Sequence, residues 1–292
     1  MANLKEVRTR ISSVSSTQQI TSAMKMVSAA KFRRAQNAII GMRPYAAQLG
    51  EILADISTDD GVQTPYHAVR EVRTVVLVVV TSNKGLCGAF NSNVLKLALQ
   101  RIDHYRQQQA VIRIIAIGKK ASEQLSKQKD LQLSSYDELL DAPTFDAIAT
   151  LADTLMDDYA EKRIDRVELI YNQFKNSLSQ VLSCEPFLPV APKDLGDSKD
   201  LKDSKNNDFI FEPSKEDILR EMIPLTLRST FYRMVLDSLA AEHGARMTAM
   251  QKATDNATEL LKELRLNYNK ARQAAITNEI IEIVSGSEAL KS

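Results

Sequence analysis

The feature that most limits the fold of this chain is a stretch of forty-one residues near its C-terminus, 245–285, without glycine or proline. Gly244 precedes this stretch and Gly286 follows it, so the sequence predicts one helix bounded by two glycines. At about 1.5 Å per residue the helix would be roughly 60 Å long, several times the usual length in a globular domain. A helix of this length needs either a second helix to pack against or a function outside its own domain.

The apolar residues of this stretch are three, four or seven positions apart: Met250, Ala253, Ala257, Leu260, Leu264 and Ala271. This heptad-like spacing predicts packing against another helix. The other faces carry mostly short, uncharged Thr, Asn and Gln side chains, whereas a solvated coiled coil usually carries Glu and Lys there. Two interpretations stay open, an ordinary amphipathic helix and a rod that sits inside another protein without binding it tightly.

A second stretch without glycine or proline, 1–40, begins the chain. Its apolar residues are three or four apart in two registers: Leu4, Val7, Ile11 and Val14, and then, after a shift, Ile20, Met24 and Val27. This pattern predicts a second long helix. Gly41 and Pro44 interrupt it, so either one helix continues with a kink to residue 56 or two helices meet here.

Positive charge is concentrated in the first fifty residues. They carry eight Lys and Arg side chains and a single acidic residue, Glu6, while the whole chain has a net charge of +1. Such a helix could meet nucleic acid, an anionic membrane or an acidic protein surface. Aromatic side chains for base stacking are nearly absent, and the apolar seam needs a partner helix rather than a membrane surface. The sequence therefore favours an acidic protein partner, with a solvated helix face as the alternative.

Strands and helices alternate between residues 72 and 190. Strands are predicted at 73–81, 110–117, 131–136, 166–174 and 178–190. The first is a continuous run of β-branched residues, which is typical of a parallel sheet covered on both faces. The sequence thus predicts an α/β fold class, in which the two terminal helices form a long antiparallel coiled coil and carry an inserted Rossmann-like α/β domain of about five strands. The predicted divisions are an N-terminal coiled-coil helix, an α/β domain, a flexible polar loop and a C-terminal coiled-coil helix, at 1–57, 72–190, 191–208 and 209–292.

The segment SNKGLCGAF at 82–90 has the position of a ligand-binding loop, because it follows a strand and precedes a helix. It matches neither the phosphate-loop nor the dinucleotide glycine pattern, so we interpret it as a structural turn. Two distant cysteines and three scattered histidines give no disulfide framework, metal site or catalytic triad. The sequence therefore predicts no catalytic residue, no metal and no cofactor, and the alternative is a free-standing α/β enzyme with coiled-coil arms.

Four segments resemble the gamma subunits of F-type ATP synthases: RTRISSVSSTQQITSAMKMVSAAKFRRAQ at 8–36, TSNKGLCGAFN at 81–91, FIFEPS at 209–214 and the helix at 245–286. The chain is identified as a member of this family from end to end. The resemblance implies a central rotating shaft that couples ion-driven rotation of a c ring to ATP synthesis or hydrolysis at the beta subunits of an alpha3beta3 hexamer. It also implies that nucleotide binds to the alpha and beta subunits and not to this chain.

The resemblance implies protein partners and no nucleic acid. The partners are the alpha and beta subunits, the epsilon subunit and the c-subunit ring, and membrane contact is made only through the complex. Since the sequence starts directly at the helix and lacks the chloroplast insertion with two close cysteines, the expected location is the cytoplasmic face of a bacterial plasma (inner) membrane.

The resemblance also assigns contact residues to positions of this sequence. The expected rotor–stator contacts are Met24, Lys25, Arg246, Gln273, Thr277 and Glu282. The residues expected at the end near the c ring and the epsilon subunit are Arg43, Tyr45, Phe209 and Glu212.

Overall fold

The computed structural model describes residues 4–57, 65–128, 130–176, 179–190 and 215–289. Its helices and strands are α1 (Leu4–Ser57), β1 (Thr74–Val80), α2 (Phe90–Gln107), β2 (Val111–Ile117), α3 (Lys119–Leu125), β3 (Gln132–Ser135), α4 (Phe145–Ala160), β4 (Arg166–Phe174), β5 (Gln180–Leu188) and α5 (Lys215–Ala289). They form two compact units, one from the described parts of 1–28 and 247–292 and one from those of 29–246. The predicted division at 57, 72, 191 and 209 stays a prediction, and the loop at 191–208 lies outside the described residues.

The first unit is a pair of helices from the beginning of α1 and the end of α5. The hydroxyl oxygens of Thr21 and Thr254 lie 2.8 Å apart, and Gln18 Nε2 donates a hydrogen bond to Thr258 Oγ1 at 2.7 Å. Because the residue number falls along α1 as it rises along α5, the two helices run in opposite directions. The predicted antiparallel coiled coil is confirmed.

The second unit is built on a five-stranded sheet with the order β3-β2-β1-β4-β5. The first four strands are parallel, and β5 runs antiparallel to β4. Alternate residues of β1 pack on opposite faces: Val76 and Val78 lie in the core shared with α4 and α5, and Val75 and Leu77 in the core shared with α2 and α3. Since both faces are covered, β1 is apolar at every position after Thr74. The predicted inserted α/β domain of about five strands is confirmed.

α5 is much longer than predicted, with 75 residues. Gly244 and Gly286 both lie inside it, so the prediction that these glycines bound the helix was wrong. Glycine inside a helix costs about 1 kcal/mol relative to alanine. Apolar side chains on both sides of Gly244, among them Ala241 and Met250, are buried, and their burial outweighs this cost.

α1 continues through Gly41 and Pro44 without a break, so the alternative of one helix is correct and that of two helices is wrong. An interior proline removes a backbone hydrogen bond and costs about 3 kcal/mol. Buried apolar side chains on either side of it, Ile39 and Leu49, offset the cost. Pro224 inside α5 is tolerated in the same way. No helix in the described part of the chain is both long and apolar enough to cross a membrane.

The predicted shift of register in α1 is wrong. Ile20 and Val27 were expected to face the partner helix, but their side chains are 60% and 58% exposed. Thr21 and Ser28 are buried in their place. The polar side chains are tolerated in the seam because they have hydrogen-bond partners there, as between Thr21 and Thr254.

Candidate functional site

The predicted contact residues of the helix pair lie on two different surfaces. Met24 and Lys25 on α1 are half-buried. Gln273, Thr277 and Glu282 near the end of α5 are exposed. The residue numbers of the hydrogen-bonded pairs place the first described residue of α1 opposite about residue 272 of α5. Beyond that point the described residues of α1 offer nothing for α5 to pack against.

Both helices expose large apolar side chains in this unit. On α1 these are Ile20, Met26 and Val27. On the last turns of α5 they are Ile276, Ile280, Ile281, Ile283 and Val284. Single exposed apolar residues are ordinary on a protein surface, but contiguous groups of them mark surfaces that another molecule covers. The arrangement therefore supports interaction surfaces on both helices.

Arg246 belongs to the second unit and is only 7% exposed. Its guanidinium donates hydrogen bonds to the backbone oxygens of Lys84 at 2.6 Å and Gly85 at 3.2 Å, and to Glu242 Oε1 at 2.6 Å. One side chain of α5 thus holds the turn that follows β1. Sequence reasoning missed this contact, because no pattern links positions about 160 residues apart.

The groups around Arg246 have shifted acid–base equilibria. Burial raises the pKa of Glu242 above its usual value, although Arg246 and Lys31 act in the opposite direction. Burial and the same two positive charges lower the pKa of His243 to about 4. His243 is therefore neutral at physiological pH, and Arg246 supplies a positive charge beside the turn. A contact between Arg246 and another subunit stays a prediction.

The turn at 82–88 is held by hydrogen bonds to residues of α2 and α3. The Ser82 amide donates to Asn91 Oδ1 at 3.0 Å, and Asn83 Oδ1 accepts from the amide of Lys119 at 3.1 Å. Leu86 has a φ of 63°, which is rare for a residue with a branched side chain, and its side chain is exposed. These bonds support the interpretation of a structural turn.

A cavity of about 310 Å³ lies beside the start of α2, at the carboxyl end of β4. In doubly wound folds this edge of the sheet is the usual place for a ligand. The described residues that line it are Ala89, Phe90, Asn93, Asn172, Ser179, Gln180 and Leu182. None of these described side chains titrates near neutral pH, so none of them is a general acid, a general base or a charged metal ligand.

Glu168 is a buried carboxylate that sequence reasoning did not single out. It lies in β4, is 2% exposed, and accepts hydrogen bonds from Arg101, Tyr105 and Arg166. Burial by itself would raise its pKa, but the hydrogen bonds from Arg101 and Tyr105 and the charges of Arg101 and Arg166 together lower it. The cluster ties α2 to the sheet, and its carboxylate is already fully used by the chain's own donors.

The residues expected near the c ring and the epsilon subunit are described only in part. Tyr45 lies on α1 and is exposed. Arg43 lies in the same helix, and its side chain is outside the described part of the chain. Phe209 and Glu212 are outside the described residues altogether. Within the described ranges, no group of three or more His, Cys, Asp or Glu side chains could hold a metal ion.

Comparisons with known proteins identify the family of this chain. The sequence profile of the ATP synthase family matches residues 3–290. The ATP synthase gamma chain of Flavobacterium psychrophilum is 53% identical over 293 residues, with 100% of both chains covered. That of Bacteroides fragilis is 47% identical, with 99% of this chain and 100% of the relative covered. The chain belongs to the ATP synthase gamma chain family.

Solved structures agree with membership in the ATP synthase gamma chain family. A chain of the central stalk and c-ring structure of Tetrahymena thermophila mitochondrial ATP synthase is 25% identical, with a TM-score of 0.56, and the match covers 80% of this chain and 99% of that one. A chain of the Euglena gracilis mitochondrial enzyme has a TM-score of 0.68 at 22% identity, covering 98% of this chain and 94% of that one. The second likeness shows that the fold is shared.

Proposed function

We propose that this chain is the central rotating shaft of an F-type ATP synthase. It couples ion-driven rotation of the c ring to ATP synthesis or hydrolysis at the beta subunits of an alpha3beta3 hexamer. The observation that carries the proposal is the family match over 3–290, together with relatives about half identical over their whole length. An antiparallel helix pair with exposed apolar side chains supports it, because such a rod suits the inside of a ring of other subunits.

The chain is proposed to act without a catalytic site of its own, with nucleotide bound by the alpha and beta subunits. The described side chains that line the cavity at the sheet edge are all uncharged, which supports this role. The proposed partners are the alpha and beta subunits, the epsilon subunit and the c ring. Because the gamma chains it resembles come from bacteria, we place it at the cytoplasmic face of the bacterial plasma membrane, as a peripheral part of the complex.

The contact residues belong to this proposal as well. Met24 and Lys25 meet acidic loops of the beta subunits, and this assignment is supported by the excess of positive charge in residues 1–50. Gln273, Thr277 and Glu282 meet the inside of the hexamer, and their exposure supports it. Arg246 is proposed as a further contact of the shaft with these subunits. Arg43, Tyr45, Phe209 and Glu212 are assigned to the end near the c ring and the epsilon subunit.

Reconstitution tests the shaft directly. Mixing the chain with alpha and beta subunits should give an ATPase with one copy of this chain for every three alpha–beta pairs, measured by native mass spectrometry. A stable complex with equal copies of all three subunits would contradict the proposal. Steady turnover of a substrate by the purified chain alone would favour the alternative, a free-standing enzyme with coiled-coil arms.

A charge reversal tests the contact at the basic end. Lys25→Glu should lower the number of ions pumped per ATP hydrolysed in reconstituted vesicles while the complex still assembles, because it places a negative charge against the proposed acidic loops. Lys127→Glu is the matched control, since Lys127 is an exposed lysine in the α/β unit that bonds Gln124. An unchanged pumping ratio for Lys25→Glu would count against the contact.

A further inference from the structure

Between residues 17 and 28, α1 offers two alternative faces for packing against its partner helix. One face is polar and consists of Gln18, Thr21, Lys25 and Ser28. The other is displaced by one residue and consists of Thr17, Ile20, Met24 and Val27. Both have the same spacing of three, four and three, so either could form a heptad seam. Because one residue corresponds to about 100° around the helix axis, the choice decides which side chains face outward.

The structure uses the polar face. Thr21 and Ser28 are only 8% and 3% exposed, while Ile20 and Val27 point away from the seam. Apolar burial alone would favour the opposite choice, because removing Ile and Val side chains from water is more favourable than removing Thr and Ser. Hydrogen bonds across the helix pair favour the polar face.

Two hydrogen-bonded pairs join the polar face of α1 to α5. Gln18 Nε2 donates to Thr258 Oγ1 at 2.7 Å, and the Thr258 hydroxyl donates to the backbone oxygen of Thr254 at 2.8 Å. The hydroxyl groups of Thr21 and Thr254 lie 2.8 Å apart, within hydrogen-bond distance. On the other face the Thr17 hydroxyl already donates to the backbone oxygen of Ser13 at 3.0 Å, and Ile20, Met24 and Val27 have no side-chain donor that could take over these bonds.

The pair of Thr21 and Thr254 also distinguishes positions along α5. A slip of one heptad would put Thr21 opposite Leu261 or Met247 in place of Thr254. Neither side chain can exchange a strong hydrogen bond with a hydroxyl group. Thr254 therefore favours one axial position as well as one rotation of α1.

We propose that Gln18, Thr21, Thr254 and Thr258 are positioning residues that set the rotation of α1 about its own axis. Their hydrogen bonds hold Ile20 and Val27 on the outer surface of the helix pair. Removing the two α5 hydroxyl groups lets α1 turn by about one residue, so that the apolar face moves inward. The inference concerns the helix pair alone, so its failure would leave the proposed shaft function untouched.

The test measures the accessibility of two neighbouring positions on α1. In the full chain with Cys87→Ala and Cys184→Ala, a single reporter is introduced as Val27→Cys or as Ser28→Cys, and its rate of reaction with a maleimide is measured. In this background position 27 should react at least about tenfold faster than position 28, since reaction requires an accessible thiolate. With Thr254→Val and Thr258→Val added, which keep the side-chain volume, position 27 should become slower, position 28 faster, and the ratio should fall below about three.

The control pair is Thr9→Val with Thr150→Val. These threonines are exposed, and their hydroxyl groups donate to the carbonyl four residues earlier, so the ratio should match that of the background. Far-UV circular dichroism verifies that all variants are helical. An unchanged ratio in the Thr254→Val, Thr258→Val variant overturns the proposal. A faster position 28 with an unchanged position 27 also overturns it, because that result means that the helices separate instead of rotating.

Discussion

Replacing Glu168 by glutamine is expected to destabilise the sheet of the α/β unit by about 3 kcal/mol. The carboxylate is almost completely buried and accepts bonds from Arg101 Nη2 at 2.6 Å, the Tyr105 hydroxyl at 2.6 Å and Arg166 Nε at 2.9 Å. Glutamine has nearly the same shape, so the change removes the charge without opening a cavity.

The magnitude follows from what is left behind. Breaking a buried ion pair by removing one partner typically costs about 3–5 kcal/mol, because the other charge loses its partner. Here the Arg101 and Arg166 side chains are 28% and 37% exposed, so water can solvate them in the variant. The expected cost therefore lies near the lower limit, about 3 kcal/mol.

Hydrogen exchange of the backbone amides of β1 and β4, followed by mass spectrometry, measures this loss. These central strands exchange through opening of the whole sheet, so about 3 kcal/mol corresponds to roughly 150-fold faster exchange. Glu71→Gln is the matched control, because Glu71 pairs with Arg73 at 3.3 Å and both side chains are more than 80% exposed. Exchange in Glu168→Gln within about threefold of that in Glu71→Gln would refute the reasoning.

Three further predictions follow from other residues. The pKa of His243 is about 4, so its stabilising contribution is complete above the usual pKa of 6.5 and is lost as the pH falls from 6.5 towards 4. His243→Asn should therefore make the urea-unfolding midpoint depend less on pH in that range. A midpoint that falls with pH in the variant as steeply as in the unchanged chain would contradict this. Gly118→Ala should lower the melting temperature, at a cost of about 3 kcal/mol or more, because φ is 110° and a Cβ would lie 2.4 Å from the Thr81 carbonyl oxygen. Gly41→Ala should raise it, because alanine stabilises α1 by about 0.5–1 kcal/mol. Melting-temperature shifts of the same sign in the two variants would be inconsistent with these conformations. Burial raises the pKa of Cys184 to about 11, so iodoacetamide should alkylate it about 100-fold more slowly than an exposed thiol at pH 8. Alkylation of Cys184 at the rate of an exposed thiol would rule out this buried environment.

Much of the α/β unit could be predicted because its signals are local. The β-branched run of β1 and the alternation of strands with amphipathic helices depend only on neighbouring residues. β4 was predicted at 166–174, and the structure has it at Arg166–Phe174. Helix ends were predicted less well, because Gly244, Gly286 and Pro44 are local signals that tertiary packing overrides.

The contacts that organise the two units could not be predicted from local patterns. Thr21 and Thr254 are 233 residues apart, and Arg246 lies 162 residues from the carbonyl of Lys84. A heptad pattern assumes that apolar residues form the seam, so it selected Ile20 and Val27. Hydrogen bonds across the pair reversed that choice, and a one-dimensional pattern does not contain their geometry.

The outward position of apolar side chains on α1 is consistent with a shaft that meets three beta subunits in turn. Hydrogen bonds and ion pairs are directional, so a surface that relied on them would fit one position of the shaft far better than the others. Apolar contact is non-directional and depends mainly on the area removed from water. The helix pair keeps its hydrogen bonds inside, between Gln18 and Thr258 and between Thr21 and Thr254. It turns Ile20 and Val27 outward. The two kinds of interaction therefore have different roles. The directional bonds fix the geometry of the helix pair, and the face that carries Ile20 and Val27 offers a non-directional surface.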